Sequence, residues 1–176
     1  VTLDKLARVT ADPRACETSA LLVADTVVLV DDAILGKPAN DQDATSMLSR
    51  LSGRVHEVRT RFAIGAAPGI LASISGVHDT SASKSATAQA TSARTIAPLH
   101  AETVSTVVHF RPLDDDEIRR YVATGEGMDK AGSYAVQGIG SFAVERIEGS
   151  YANVVGLPVC EVVMALKRLG LLHAFP

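Results

Sequence analysis

The segment Leu21–Val30 (LLVADTVVLV) constrains the fold more than any other part of the chain. It is almost wholly apolar and rich in valine. A run of that kind suits a strand buried on both faces, as in an α/β sheet, rather than a strand with one wet face. One carboxylate, Asp25, interrupts it. Placing a carboxylate in an apolar strand is costly unless the group is paired, bound to a metal or set at the strand's exposed end. Two readings follow. Asp25 is either a strand-end residue bonded to a neighbouring amide, or a metal ligand or general base at the mouth of a cleft.

The remaining segments place strands and helices around this run. Leu3, Leu6 and Ala7 give residues 2–15 one apolar side, with Pro13 as a stop. Asp31-Asp32 marks a turn, and Ala33–Leu35 returns as a short strand. Asn40 or Asp41 caps a helix to Leu51, with apolar positions Ala44, Met47, Leu48 and Leu51 and a left-handed terminator at Gly53. Residues 54–63 alternate, predicting a strand with one wet face on which His56 is half-buried. Residues 103–111 form the next strand. Between them, residues 78–98 are mostly Ser, Ala and Thr. They bury too little to offset their ordering entropy, which predicts a flexible insertion. Asp114–Glu117 puts negative charge at a helix start, where the macrodipole favours it, with Gly125 behind the end. Ser141–Ile147 alternates as a strand. Pro158 opens a last helix that turns Val159, Val162, Val163 and Leu166 to the core and stops at Gly170. The expected fold is α/β or α+β, one domain over 1–176 with a mixed sheet.

Composition bounds the partners. Apolar residues make up 47% of the 176, so the bulk is globular. A net charge of −3 argues against a general nucleic-acid binder. No apolar run reaches bilayer length and no signal peptide is seen, so no membrane partner is expected. Cys16 and Cys160 lie far apart, fit a reducing cytoplasm and are expected in the core.

Four clusters could carry chemistry. Asp25 is the first. The second is Gly36-Lys37-Pro38, in which Lys37 is either a solvated surface lysine or a phosphate ligand; it lacks the glycine spacing of a P-loop. A lysine near a metal-bound carboxylate is the pairing that triphosphate chemistry needs. The third is the loop Asp129–Gly140, either an ordinary glycine-rich turn or a surface pressed against a ligand, with Gln137 able to read a base edge. The fourth is Glu145–Pro158, in which Glu145 and Arg146 suit a wet sheet face and Asn153 a turn. The histidines show no metal-ligand spacing, and no serine sits in a nucleophile elbow.

In this order the clusters resemble the Maf family of nucleotide pyrophosphatases. The text that carries the resemblance is Ala24–Val28, Ile34–Pro38, Leu51–Val58, Phe110–Leu113, Tyr121–Glu126, Asp129–Gly138 and Glu145–Pro158. Each motif is weak singly; together, in register, they are a strong signal. The resemblance implies an α/β body with a mixed, twisted sheet, flanking helices and two lobes around a deep cleft, similar in fold to the inosine-triphosphate pyrophosphatases. It implies hydrolysis of a nucleoside triphosphate to monophosphate and pyrophosphate with a divalent metal cation, Mg²⁺ or Mn²⁺. Asp25 matches the proton acceptor and a metal ligand, and Lys37 a phosphate contact. Thr26 and Gln137 match positions tied to substrate choice, and Lys130 is a further ligand. Arg8, with Lys5 as runner-up, stands for a family lysine in the helix before the aspartate strand. The Ala-Asp-Thr and Tyr-Ala-Val-Gln-Gly pairing is similar to the branch that acts on dTTP and UTP. Family members open with a strand and a Ser-x-Ser-x-Arg-Arg phosphate loop followed by a glutamate, which Val1–Arg14 does not supply; the start at Val1 suggests a lost or processed N-terminus.

Two functions are therefore expected. One is a cytoplasmic dTTP/UTP pyrophosphatase. The alternative is a non-catalytic nucleotide-binding or cell-division regulatory relative, inactive through loss of the phosphate loop. Apolar surface left by an absent strand would favour association as a homodimer.

Overall fold

The computed structural model describes residues 1–10, 12, 20–66 and 98–174. Helix α1 is Thr2–Thr10, and strand β1 (Ala20–Val30) is followed by β2 (Ala33–Leu35). Helix α2 (Asp41–Leu51) leads into β3 (Val55–Ala66), and β4 is His100–Phe110. Helix α3 (Asp115–Ala123), single-turn 3-10 segments at Ala131–Ser133 and Ile139–Ala143, β5 (Val144–Glu148), α4 (Tyr151–Val155) and α5 (Val159–Arg168) complete the chain. The flexible insertion expected over 78–98 lies, apart from Pro98, outside the described residues, as does Cys16.

The strands form one five-stranded sheet in the order β2-β1-β3-β4-β5. β1 and β2 pair antiparallel with Val28 opposite Leu35, and β4 and β5 pair antiparallel with Val108 opposite Ile147. The Phe110 amide donates to Arg54 O and the Leu99 amide to Ile64 O, so β4 runs against β3 as well. Where pairing is defined, the sheet is antiparallel rather than mixed. The tight Asp31-Asp32 turn, with Asp31 at φ 53, forces that geometry on β1 and β2.

Two compact units divide the chain: Val1–Val23 with Ala63–Ala101 and Met164–Pro176, and Ala24–Phe62 with Glu102–Val163. In the first, Leu6 of α1 packs with Leu21, Val23 and Ala63. Thr2 and Leu6 are the buried positions of α1, while Leu3 and Ala7 face outward, contrary to the expected apolar side. In the second, Val28 and Val30 of β1 join Leu48 and Leu51 of α2, Val58, Val108 and Phe110 of the middle strands, and Ile118 and Tyr121 of α3. Burying each such aliphatic side chain contributes roughly 1.5–3 kcal/mol.

The caps follow the sequence. Asn40 accepts from the Asp43 amide at 2.9 Å, so it, not Asp41, is the N-cap of α2, and Gly53 takes φ 67. Asp114 and Glu117 form a capping box on α3, and the Glu117 carboxylate also grips Arg111 at 2.7 Å. Arg111 lies over the Phe142 ring, 5.0 Å from its centroid, and donates from Nε to Phe142 O, fixing the segment before β5 to the end of β4. That anchoring explains why Ser141–Ala143 is a 3-10 turn and the strand begins only at Val144. Cys160 and Val159 are exposed on α5, contrary to expectation, while Val162 is buried as expected and Ala165 with it. His56 is fully buried, not half-buried. Among the described residues no helix is long and apolar enough to cross a membrane.

Candidate functional site

Asp25 and Thr26 sit where the buried face of β1 changes. Side chains alternate along a strand. Leu21 and Val23 are buried on one face and Val28 and Val30 on the other, while residues 24–27 are only partly covered. The carboxylate of Asp25 is therefore half-buried, neither sealed in the core nor fully solvated. Thr26 is held firmly. Its hydroxyl lies 2.8 Å from that of Thr60 on β3 and 3.3 Å from Gly156 O, to which it donates.

Lys37 follows β2. Each step along β2 is a step back along β1, so Gly36 and Lys37 leave the sheet heading toward Thr26 and Asp25. The Gly132 amide donates to Gly36 O at 3.0 Å, docking the loop 125–133 at that point. The residue that must be glycine there is Gly132: its φ is 71, and a Cβ would stand 3.0 Å from Val28 Cγ2. A Cβ on Gly36 would meet nothing. The loop is tight elsewhere too, since a Cβ on Gly127 would fall 2.1 Å from Ser133 O. Ser133, buried, holds φ 60.

Docking brings charges together. Lys130 Nζ contacts Asp129 Oδ1 at 2.8 Å. That hydrogen bond, before all other causes, holds the Asp129 carboxyl below the usual range, and Lys37 adds a smaller pull. Only Lys130 bonds the carboxylate; Lys37 acts on it through charge. Both partners of the Lys130–Asp129 pair are largely in solvent, where such a pair is weak and easily exchanged for another anion.

Gln137 is exposed at a turn directly after buried Tyr134, Ala135 and Val136. The turn is anchored by Glu126, whose carboxylate accepts from the amides of Ile139 and Gly140, each at 2.8 Å, and from the Tyr121 hydroxyl at 2.9 Å. Burial alone would raise the Glu126 carboxyl; the Gly140 and Ile139 amides and Tyr121 outweigh it and hold it below the usual value.

Asp25, Thr26, Lys37, Lys130 and Gln137 all belong to the second unit. Arg8, exposed in the last turn of α1, belongs to the first, and the contacts just described do not include it. Asn153 is not a turn residue. It lies in α4 with 0% exposure, and its Nδ2 donates to Val58 O and to Thr106 Oγ1 at 3.0 Å each. Its backbone carbonyl accepts from the Thr60 hydroxyl, so a buried polar chain runs from α4 through β3 to Thr26. Neither Asn153 nor Glu126 stood out in the sequence; the one signal was their place in the in-register text Tyr121–Glu126 and Glu145–Pro158.

No group of three or more His, Cys, Asp or Glu side chains that could hold a metal ion occurs among the described residues. The Asp25 carboxylate would supply one ligand to such an ion, since Mg²⁺ is commonly held by one or two carboxylates plus substrate phosphates.

The sequence profile of the family described as "Maf-like protein" matches residues 2–169. The dTTP/UTP pyrophosphatase of Geobacter sulfurreducens is 44% identical over 170 residues, 96% of this chain and 75% of the relative. Those of Syntrophotalea carbinolica and Geobacter metallireducens are 45% and 46% identical over 86% and 85% of the chain. The match spans only 57% and 64% of the length of these two relatives. A profile match over nearly the whole chain, spanning the Asp25, Lys37 and Gln137 segments, means that the chain belongs to the Maf family.

Proposed function

We propose that this chain carries the catalytic aspartate and the base-reading loop of a nucleoside triphosphate pyrophosphatase acting on dTTP and UTP. Its relatives bear that name at 44–46% identity. The supporting geometric observation is the hydrogen bond from Gly132 to Gly36, which sets the Lys130 loop against the Lys37 turn beside β1.

In the proposed reaction, water attacks the α phosphorus. Its oxygen forms a bond to that phosphorus, the bond from the α phosphorus to the bridging oxygen breaks, and pyrophosphate leaves. The Asp25 carboxylate takes the proton of the attacking water. Lys130 releases Asp129, and with Lys37 it offsets charge on the phosphates. Thr26, fixed by Thr60 and Gly156, and Gln137 discriminate the pyrimidine. A divalent cation bound by Asp25 and the triphosphate would polarise the phosphoryl group and acidify the water. A reducing cytoplasmic setting accords with this role.

Pyrophosphate release from dTTP, UTP and GTP, measured with Mg²⁺ and with Mn²⁺, tests the proposal. Turnover of dTTP and UTP in preference to GTP is expected. Thermal stabilisation by UTP without turnover of any substrate would instead favour a non-catalytic nucleotide binder.

A further inference from the structure

We propose that Glu126 is the positioning residue for substrate choice: its carboxylate holds the turn after Gln137 directly and the segment before it through the Tyr121 hydroxyl, and so fixes where that amide meets the base. This rests on the pyrophosphatase reading above. On one side, the Tyr121 hydroxyl donates to Glu126 Oε2 and accepts from the Ala135 amide at 3.1 Å. On the other, Glu126 itself takes the amides of Ile139 and Gly140. Gln137 stands between the two anchors.

The backbone has closed around the carboxylate. A Cβ on Gly138 would fall 1.9 Å from Glu126 Oε1. One on Gly140 would fall 2.6 Å from the Tyr121 hydroxyl and 2.8 Å from Ala135 O. Gly140 is required by this approach to backbone, whereas a Cβ at 138 would push aside the Glu126 carboxylate itself. Charge-assisted bonds to backbone amides are among the stronger hydrogen bonds in proteins. An exposed amide on a turn can discriminate bases only if the turn does not wander, and the clasp supplies that order before ligand arrives.

The test is a double-mutant cycle of Glu126→Gln and Gln137→Ala, read as kcat and KM on UTP and on CTP. Glu126→Gln keeps the size but weakens the clasp. The expected result is a KM for UTP raised about tenfold with kcat little changed, and a reduced preference for UTP over CTP. Gln137→Ala should do the same, and the double variant should be no worse than the worse single one, because both act through one amide. Additive losses, or an unchanged UTP preference in Glu126→Gln, would overturn the role. Should Glu126→Gln fail to fold, Tyr121→Phe cuts the Ala135 anchor and takes its place in the cycle. Absence of turnover in the unaltered chain would remove the pyrophosphatase reading and this role together, whereas normal turnover with no Glu126 effect would remove this role alone.

Discussion

Asp25 is half-buried at the one stretch of β1 where neither face is fully covered. A carboxylate there keeps access to water and to a cation without the full desolvation that deep burial imposes. Asp25→Asn preserves size but removes the carboxylate proposed to accept the proton of the attacking water. The expected loss in kcat is about a thousandfold with the melting temperature nearly unchanged; assays of the purified variant check both. His56 offers a separate check on the fold. Burial, with a smaller contribution from His109, lowers its imidazole to about 4 from 6.5. Its Nε2 lies 2.9 Å from the Tyr134 hydroxyl, while Nδ1 finds no partner among the described residues. The unfolded chain therefore takes up the proton first. The stability due to neutral His56 is complete above about pH 6.5 and falls as pH drops toward 4, by roughly 1.4 kcal/mol per unit. Urea unfolding across that range should show this slope, and His56→Gln should flatten it. At this scale the sequence exposed Asp25, because one charge in an apolar run is conspicuous. It concealed Asn153, because a buried asparagine and a turn asparagine look alike until the strands that surround it are assembled.

The elements legible in advance were those whose apolar spacing matched one period over several turns or strand residues. β1, α2 with its cap, β3 and α3 with its acidic first turn all fall where expected. Short pieces were not legible. Ser141–Ala143 alternates like a strand but is bent into a turn by Arg111 bonding across to Phe142. The five residues of α4 carry no helical period, and their place is set by Ser150 capping and by the Asn153 hydrogen bonds. Asn153→Ala removes the buried donor to Val58 O and to Thr106 Oγ1, which keeps its bonds with Ser150, and should lower stability by about 2–3 kcal/mol, measured by urea unfolding. Gly132→Ala combines a left-handed backbone with a Cβ pressed on Val28. It should cost about 1–2 kcal/mol and raise KM for UTP by loosening the loop from Gly36. An unchanged KM would show that docking of this loop does not serve the substrate.

For the molecule as a whole, the proposed reaction takes its divalent cation from the nucleotide phosphates rather than from a ligand cluster, none of which occurs among the described residues. Chelation by EDTA should therefore abolish turnover, and Mg²⁺ or Mn²⁺ restore it, while the unfolding midpoint without nucleotide stays the same; a large loss of stability on chelation would point to a structural metal instead. The family was legible because several weak motifs recur in order, each tied to a contact that the fold makes. The sheet's pairing was not, because strand direction depends on partners distant in sequence. Attack on the α phosphorus is distinguished from attack elsewhere by hydrolysing UTP in water labelled with heavy oxygen and weighing both products. The label is predicted in UMP and absent from pyrophosphate. Label in the pyrophosphate, release of inorganic phosphate, or no hydrolysis at all would contradict it.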